Sequence, residues 1–332
     1  MRAESMKARC VEFIASRTVE IRTKDVALHG EGLLCRSLLM GLSAGSELLA
    51  YRGSMPSLNT DTLKGLAEEL RYPFAYGYIN LAEVMDDTDT VDSPAAGSRV
   101  FAFYPHQEMF RIHPRQCIPV PADISTDNAV FLASMETAVS IVHDTHPRLG
   151  ERVAVLGQGV IGLLTAILLR KNGAQVTAVE PDLMRRSFSR GEGIHAVHPD
   201  DFSAGMPDAG QADAVVDTAG SPSALAAALP FCRHEGRVVV ASWYGDTLVS
   251  LPLGHEFHRR RLRMVSSQVS HVGAEASGSW SKQRRFELVW DLIRELNPAR
   301  FITHRFDMED CAAAFKLADE HTEPVLQIVL SP

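Results

Sequence analysis

The stretch Glu151–Pro181, ERVAVLGQGVIGLLTAILLRKNGAQVTAVEP, decides the fold of this 332-residue chain. It opens on a short apolar run, Val153 to Leu156, of the kind that a buried parallel strand needs. A turn with the pattern G-x-G-x-x-G follows at once, and its glycines are Gly157, Gly159 and Gly162. Val160 to Asn172 is then apolar nearly all round, which predicts a helix packed on a sheet. Gln175 to Val179 predicts a second strand.

This glycine turn has the chemistry of a dinucleotide site. The first glycine permits a tight reversal, the second lets the backbone approach a pyrophosphate, and the third lets helix and strand pack closely. The helix N-terminus offers N–H groups to the anion. Glu180 ends the second strand, where a carboxylate accepts hydrogen bonds from an adenosine ribose. A glycine-rich turn of another α/β protein is the alternative for the glycines alone. The predicted cofactor contacts are Gly157, Gln158, Gly159, Val160, Ile161, Gly162 and Glu180.

Glu180 also bears on which dinucleotide binds. A carboxylate binds the ribose hydroxyls and repels a 2′-phosphate, so it favours NAD over NADP. Arg185 and Arg186 argue for NADP, because they can turn back toward an adenosine phosphate, although a solvated helix face is the commoner position for such a pair. Arg185 is therefore kept as a candidate contact. Thr218 and Ala219, in the loop after the predicted fourth strand, are further candidate cofactor contacts, because ligands gather beyond the carboxyl ends of parallel strands.

The rest of the chain divides into three segments by its pattern. Residues 1–124 alternate short apolar runs with turn residues and predict a β-rich domain. Residues 125–269 alternate strand and helix patterns, with Arg263 to Val269 as a sixth strand, and predict an α/β domain with a doubly wound parallel sheet of the Rossmann type. Residues 270–332 are expected to return to the first domain. Residues 51–72 and 271–281 are expected to shape the substrate pocket.

Composition narrows the class of partner. The chain is 45% hydrophobic and 22% charged, which is ordinary for a globular protein, and its formal net charge is -8. A nucleic acid or a membrane surface would favour a basic face, so a small molecule is the expected partner. No apolar run approaches the ~20 residues of a membrane span, and the start shows no signal-peptide core. A cytoplasmic location is therefore expected.

The five cysteines are scattered singly, at Cys10, Cys35, Cys117, Cys232 and Cys311. None forms a C-x-x-C pair or a spacing typical of a disulfide framework. They are expected to be reduced and mostly buried. Their dispersal also removes the usual ligands of a structural zinc.

The order of these parts resembles the medium-chain dehydrogenase/reductase superfamily, which includes zinc alcohol, sorbitol and threonine dehydrogenases and zinc-free quinone oxidoreductases. The resemblance covers nearly the whole chain. Its local marks, besides the glycine turn, are LSAGSE at Leu42–Glu47, YPFAYGY at Tyr72–Tyr78, META at Met135–Ala138 and ITHRFDMEDCAAAF at Ile302–Phe315. It implies a GroES-like β-rich catalytic domain together with the Rossmann domain, and a homodimer that pairs two nucleotide-binding sheets along an edge.

The departures from the superfamily's zinc-dependent pattern concern the metal. Ala44 stands where those members carry a cysteine ligand, and Gly77-Tyr78-Ile79 stands where they carry Gly-His-Glu. Glu136 matches a position at which sorbitol dehydrogenase-like members carry a ligating glutamate. One carboxylate does not make a catalytic zinc site, which takes three protein ligands. No zinc is therefore predicted.

Without a metal, hydrogen-bond or proton donors must stabilise the oxygen that gains charge in carbonyl reduction. Ser46 matches the hydroxyl that relays the alcohol proton in zinc members, but it is as well placed to cap a helix. Tyr78 replaces the lost histidine and either polarises the substrate oxygen or only fills the vacated volume. Glu47 and Glu136 are candidate bases, with structural roles as their alternatives. His106 and His113 are expected at the surface.

The segment Leu253 to Gln268 carries an arginine cluster, for which a solvated or intersubunit face is favoured over binding of an anionic substrate. It resembles a zinc-poor branch of the superfamily that includes a bacteriochlorophyllide hydroxyethyl dehydrogenase. Three functions remain open. The first is a zinc-independent, NAD-preferring oxidoreductase for a secondary alcohol and its ketone. The second is an NADPH-dependent reductase of enones or quinones, and the third is a nucleotide-binding sensor without catalysis.

Overall fold

The computed structural model describes residues 4–55, 71–86, 93–202, 210–274 and 276–332. Residues 56–70 belong to the stretch that is expected to shape the substrate pocket and lie outside this part. The contacts divide the chain into two compact units, Met1–Leu132 with Ile293–Pro332, and Ala133–Leu292. No helix in the described ranges combines the length and the apolar character that crossing a membrane requires.

Strands account for much of the first and second units alike. In the described residues they are β1 Ser5–Ala15, β2 Thr18–Ala27, β3 Leu33–Leu42, β4 Phe74–Ala75, β5 Asn80–Val84, β6 Arg99–Ala102, β7 Met109–Ile112, β8 Cys117–Pro119, β9 Arg152–Leu156, β10 Gln175–Val179, β11 His195–Val197, β12 Ala212–Asp217, β13 Cys232–Val240, β14 Arg263–Ser266, β15 Ile302–Asp307 and β16 Gln327–Ser331.

Helices in the same ranges are mostly short. They are α1 Ser46–Arg52, α2 Thr126–Ala129, α3 Leu132–Thr145, α4 Val160–Lys171, α5 Leu183–Gly191, α6 Pro222–Ala228, α7 Lys282–Leu296 and α8 Cys311–Glu320. Short 3-10 turns cover Pro114–Gln116, Leu229–Phe231, Pro298–Phe301 and Met308–Asp310, and a π turn covers Leu253–Phe257.

The second unit contains the predicted doubly wound sheet. Its six strands lie in the order β11-β10-β9-β12-β13-β14, and every neighbouring pair is parallel. The predicted sixth strand is confirmed as β14, although it ends at Ser266 and not at Val269. Strand β9 is central because Val153 to Leu156 is apolar and buried, as a strand covered on both faces must be. Helix α4 follows it and buries eight consecutive residues, Gly162 to Leu169.

The first unit is built on strand β3, which pairs antiparallel with β5, β7 and β16. The pairing of β16 with β3 joins the end of the chain to the N-terminal β-rich part. Phe13, Tyr51 and Phe315 share one apolar core there. A second core inside the sheet contains Cys35 and Cys117. All five cysteines are buried and unpaired, as expected.

The contact-defined units differ from the predicted segments at both boundaries. The first boundary lies at residue 132 and not at 124, because α3 carries the second unit's contacts. The other lies at 292 and not at 269. Arg285 on α7 hydrogen-bonds Glu136 on α3, which keeps most of α7 with the nucleotide-binding sheet.

Candidate functional site

The glycine turn after β9 has the geometry that its pattern predicts. Gly157 has φ +85°, and a Cβ there would lie 2.7 Å from the Cα of Ala219. A Cβ on Gly162 would lie 1.9 Å from the carbonyl oxygen of Gly157 and 2.6 Å from Oγ1 of Thr218. Gly159 is different, because a Cβ there meets no atom within 4 Å. Two glycines are therefore needed by the fold, whereas Gly159 leaves open space beside the backbone.

Helix α4 begins directly at this open side. Gly159 is its N-cap residue, and no side chain of the described chain caps its first turn. Gly159, Val160 and Ile161 are partly exposed. The first N–H groups of a helix have no partner within it and carry the positive end of its dipole. The turn thus fits a pyrophosphate.

Glu180 is nearly fully buried, with 3% exposure, and both its oxygens are in use. Oε2 accepts a hydrogen bond from the backbone N–H of Gln158 at 2.6 Å, and Oε1 accepts one from Asp182 at 3.0 Å. The carboxylate therefore ties the glycine turn to the end of β10. Since two carboxylate oxygens have about four acceptor positions, a ribose contact remains compatible with these bonds.

Gln158 was predicted to contact the cofactor, and the structure places its side chain in the interior. The amide donates to the carbonyl oxygens of Val155 (3.2 Å) and Gly157 (2.9 Å) and accepts from Ser189 Oγ (3.0 Å). Its backbone N–H is already given to Glu180. These contacts make Gln158 a support of the turn, and any cofactor contact by it stays a prediction.

The two arginines after β10 have different surroundings. Arg186 donates from Nη1 to the carbonyl oxygens of Glu180 (2.7 Å) and Pro181 (2.6 Å), so its guanidinium is held by the backbone. The backbone N–H of Arg185 donates to the capping carboxylate of Asp182 at 2.8 Å. Contact of the Arg185 side chain with a nucleotide stays a prediction.

The loop after β12 is bonded to the glycine turn. Oγ1 of Thr218 donates toward the carbonyl oxygens of Leu156 (2.8 Å) and Gly157 (2.9 Å). The N–H of Ala219 donates to Oδ1 of the buried Asp217 at 3.1 Å, and Tyr244 donates to Oδ2 at 2.8 Å. Burial raises the pKa of Asp217. Thr218 and Ala219 thus lie at the glycine turn, as their position after a parallel strand predicts.

In the first unit, hydroxyl groups gather where zinc members of the superfamily carry ligands. Tyr78 donates to Oγ of Ser43 at 2.5 Å. Burial raises the pKa of Tyr78 and the charge of Glu47 raises it further, while hydrogen bonds with Ser43 and Ser46 oppose the shift. Burial also raises the pKa of Tyr76, which shares Ser46 as a partner. Both phenols are therefore held in the protonated form.

Ser46 belongs to this hydroxyl cluster and does not cap a helix. Helix α1 has Gly45 as its N-cap residue, and no side-chain cap is present among the described atoms. The capping alternative for Ser46 is therefore wrong. Hydrogen bonding with Ser46 acts to lower the pKa of Tyr76 and of Tyr78, against the effect of burial.

The expectation of a surface position for His106 is wrong. His106 and Glu47 are both 0% exposed, and Nε2 of His106 lies 2.8 Å from Oε2 of Glu47. Gly77 packs against the imidazole, since a Cβ there would lie 2.8 Å from the ring. Sequence reasoning missed this pair because its members lie 59 positions apart. His113 is exposed, as expected, and accepts from the N–H of Arg115.

Glu136 is held by an arginine that the sequence pattern did not indicate. Nη2 and Nε of Arg285 lie 2.7 Å and 3.1 Å from Oε1 of Glu136, and Lys282 lies 3.9 Å away. Burial raises the pKa of Glu136, while Lys282 and Arg285 act in the opposite direction. Its predicted catalytic role stays a prediction.

The arginine cluster before β14 serves the fold. Arg260 donates from Nη1 to the carbonyl oxygens of Pro230 (2.8 Å) and Cys232 (2.7 Å). Arg261 pairs with Glu235. These contacts favour the structural alternative over binding of an anionic substrate.

The donors present do not fit a catalytic zinc. Positions 44, 78 and 79 carry Ala, Tyr and Ile, and the Tyr78 hydroxyl bonds the hydroxyl of Ser43. Zinc in proteins is bound by thiolate, imidazole and carboxylate groups. Within the described ranges no three His, Cys, Asp or Glu residues are grouped so as to hold a metal ion. Independence from zinc stays a prediction.

Comparison with known proteins supports the resemblance to a family of dehydrogenases. Residues 160–293 match the model of the zinc-binding dehydrogenase family, and the curated relatives of the chain include named dehydrogenases. These matches agree with the resemblance to the medium-chain dehydrogenase/reductase superfamily. The matched segment starts at helix α4 and covers most of the second unit.

Two curated relatives show how similar the sequence of the chain is to named dehydrogenases. D-guloside 3-dehydrogenase of Escherichia coli K12 is 25% identical over 230 residues, which are 66% of this chain and 66% of that protein. L-arabinitol 4-dehydrogenase of Aureobasidium melanogenum is 27% identical over 218 residues, which are 62% of this chain and 56% of that protein. The chain therefore aligns with slightly less than two thirds of the length of these relatives.

A solved structure confirms the fold of the chain. The crystal structure of L-idonate 5-dehydrogenase from Escherichia coli matches this chain with a TM-score of 0.81 at 16% identity, and the match covers 99% of each chain. The predicted combination of a GroES-like β-rich part and a Rossmann sheet is confirmed by this likeness and by the six-stranded parallel sheet.

Proposed function

We propose that this protein is a zinc-independent, NAD(H)-preferring oxidoreductase that interconverts a secondary alcohol and its ketone by hydride transfer. The observation that carries the proposal is the cluster of Ser43, Ser46 and Tyr78, in which the Tyr78 phenol takes the position of a zinc-ligating histidine and two serine hydroxyls lie next to it. A reductase of activated C=C bonds has less need of such donors beside the substrate oxygen. The glycine turn supports the dinucleotide half of the proposal.

In this proposal the cofactor rests on the first turn of α4, with Gly157, Gly159 and Gly162 allowing its approach. When bound, a nicotinamide dinucleotide supplies the hydride acceptor or donor. Thr218 and Ala219 border the same turn. Tyr78, kept protonated by its raised pKa, donates a hydrogen bond to the substrate oxygen and stabilises its developing charge during reduction. Ser46 passes the proton between phenol and substrate during oxidation.

NAD is favoured over NADP because of the place of Glu180. Its carboxylate is fixed at the end of β10 by two backbone N–H groups, at 2.6 Å and 3.0 Å. A fixed negative charge there repels a 2′-phosphate. Arg186 is engaged by carbonyl oxygens, which weakens the argument for NADP.

The substrate class follows from polarity and from the named relatives. The cluster offers several hydroxyl groups, which suit a substrate with more than one oxygen. D-guloside 3-dehydrogenase and L-arabinitol 4-dehydrogenase are named for a sugar derivative and a sugar alcohol. We therefore place the substrate among polyols, sugar derivatives and cyclic polar alcohols.

The remaining expectations concern assembly and location. Strand β14 is at one edge of the six-stranded sheet, and most of its residues are exposed. Pairing of this edge with a second copy would form the homodimer that the superfamily resemblance implies. A cytoplasmic location stays a prediction from the sequence.

The proposal is tested by nicotinamide absorbance with chelator-treated protein. Secondary alcohols and polyols are assayed with NAD and NADP, and ketones and enones with the reduced cofactors. Turnover of an alcohol and its ketone with NAD as the better cofactor supports the proposal. Reduction of enones by NADPH alone would support the quinone oxidoreductase alternative. Tight cofactor binding without any turnover would support the sensor.

A further inference from the structure

The pair of Glu47 and His106 has more hydrogen-bonding capacity than the fold uses. Their contact is 2.8 Å between Oε2 and Nε2, and both side chains are completely buried. In the described part of the chain, Oε1 of Glu47 and Nδ1 of His106 have no hydrogen-bond partner. Buried polar side-chain atoms are bonded in the large majority of cases. Two unpartnered atoms on one buried pair point to a task beyond packing.

The pair is built to hold and release one proton. A carboxylate accepts only, and an imidazole donates from one nitrogen and accepts with the other when neutral. If Nε2 carries the proton, Glu47 is ionised and Nδ1 is a free acceptor. If the pair gains a second proton, Oε1 or Nδ1 receives it. Both atoms that are open to this proton are the unpartnered ones.

The surroundings connect the pair to the hydroxyl cluster. Glu47 directly follows Ser46 on α1, and its charge raises the pKa of both Tyr76 and Tyr78. The segment Tyr76–Tyr78 wraps the imidazole through Gly77, while the apolar ring of Phe315 from α8 faces it at 6.4 Å between ring centres. Glu47 thus acts electrostatically on the two phenols and contacts His106.

We infer that Glu47 and His106 form the proton store of the reaction. In oxidation the substrate C–H bond breaks and its hydride reduces NAD⁺, while the O–H proton passes through Ser46 and Tyr78 to the unpartnered side of the pair. In reduction the pair returns that proton to the oxygen and NADH is oxidised. Each direction moves one hydride and one proton. The inference rests on the proposed alcohol–ketone function.

His106 positions Glu47 in this scheme and does not touch the substrate. Its Nε2–H donates to the carboxylate and stabilises the negative charge there. Glu47 therefore accepts the proton, and His106 controls how readily it does so. A purely structural pair would affect stability without moving a pH profile of kcat.

The test compares Glu47→Gln and His106→Gln with the wild type and with His113→Asn as a control. His113 is exposed, and Asn retains an oxygen that accepts from the N–H of Arg115. The full chain is assayed for alcohol oxidation with NAD over pH, and NADH binding is measured by fluorescence. We expect kcat of Glu47→Gln to fall ~10²–10⁴-fold, as for loss of a proton acceptor, with NADH affinity unchanged. The acidic limb of the profile, over which kcat of oxidation rises with pH, should move to higher pH in His106→Gln.

The outcomes separate this inference from the proposed function. A wild type that turns over no alcohol or ketone overturns both. An active wild type with an unaltered kcat and pH profile in Glu47→Gln overturns the proton store alone. If Glu47→Gln does not fold, the neutral pair Glu47→Gln/His106→Gln takes its place. If that variant also fails to fold, the wild type decides: kcat of oxidation must rise through one ionisation with pH, and a flat profile contradicts the store.

Discussion

Nη2 of Arg285 lies 2.7 Å from Oε1 of Glu136, and each of the two side chains is 2% exposed. Arg285 also donates to the carbonyl oxygens of Val269 (2.5 Å) and His271 (3.4 Å), which follow β14. One guanidinium therefore holds helix α3, helix α7 and the loop after the sixth strand together. In the doubly wound fold, ligands gather beyond the carboxyl ends of the strands, so this loop borders the nucleotide side of the sheet.

Arg285→Met should destabilise the protein strongly. It leaves the carboxylate of Glu136 buried without its closest partner, and breaking a buried ion pair in this way costs about 3–5 kcal/mol in free energy of unfolding. Denaturant unfolding measures the change. Arg284→Met is the control, because Arg284 is exposed and stacks on Trp280, and we expect its change to stay within about 1 kcal/mol. Glu136→Met/Arg285→Met should be more stable than Arg285→Met. An Arg285→Met protein as stable as the wild type would contradict the account.

Gly162→Ala and Gly159→Ala should separate folding from cofactor binding. A Cβ at position 162 lies 1.9 Å from a backbone oxygen, so α4 must shift, and overpacking of this kind costs about 1–3 kcal/mol. A Cβ at position 159 meets no protein atom, so stability should change by no more than about 1 kcal/mol, the value of an altered N-cap. Gly159→Ala should nevertheless weaken NADH binding, since the methyl group occupies the pyrophosphate's approach. Thermal unfolding and NADH fluorescence distinguish the two. Unchanged NADH affinity in Gly159→Ala would place the cofactor elsewhere.

Glu180→Gln should reduce the preference for NAD. The substitution removes the fixed charge that repels a 2′-phosphate, and it weakens the hydrogen bonds that the carboxylate accepts from the ribose of NAD. A hydrogen bond to a charged group is worth about 1.5–3 kcal/mol, which corresponds to at least about tenfold in the affinity for NAD. The ratio of Kd for NADP and NAD is the measurement. Asp182→Asn is the matched control, because Asn also caps α5 and the residue lies two positions away. An equal ratio in Glu180→Gln and wild type would remove Glu180 from cofactor selection.

The phenols should titrate late and the fold should weaken at high pH. Burial raises the pKa of all six tyrosines, at positions 51, 72, 76, 78, 104 and 244. Above about pH 10 the unfolded chain therefore binds fewer protons than the native one, so the free energy of unfolding falls as pH rises. Absorbance of phenolate, recorded against pH for native and denatured protein, checks this. A native titration that coincides with the denatured one would contradict the assigned burial.

The nucleotide-binding sheet could be predicted because its information is local. Val153 to Leu156, the glycine turn and α4 lie within one continuous stretch, and each shows its own periodicity. The return of residues 270–332 to the first domain was expected from the order of the segments, but no local pattern indicates that the last strand pairs with β3. Strands β7 and β8 are separated because Pro114 lacks an N–H group and starts a 3-10 turn between them.

The candidate site was predictable only in part, because its pairs join distant positions. Tyr78 and Ser46 could be named from the replaced metal ligands. The burial of His106 depends on Glu47, 59 positions away, and Arg285 reaches Glu136 across 149 positions. A lone polar residue in a sequence does not reveal such a partner. The placement of His106 directly after the apolar run VFAFYP was the available sign that it enters the interior.

The most direct test of the account measures metal content and turnover on the same sample. The wild-type protein is dialysed against a chelator and its zinc is quantified. Oxidation of secondary alcohols and polyols by NAD is then followed before and after zinc is added back. We predict less zinc than protein by a wide margin, full turnover of at least one alcohol, and no gain on adding zinc. Activity that disappears with the metal and returns with it would contradict the hydroxyl site.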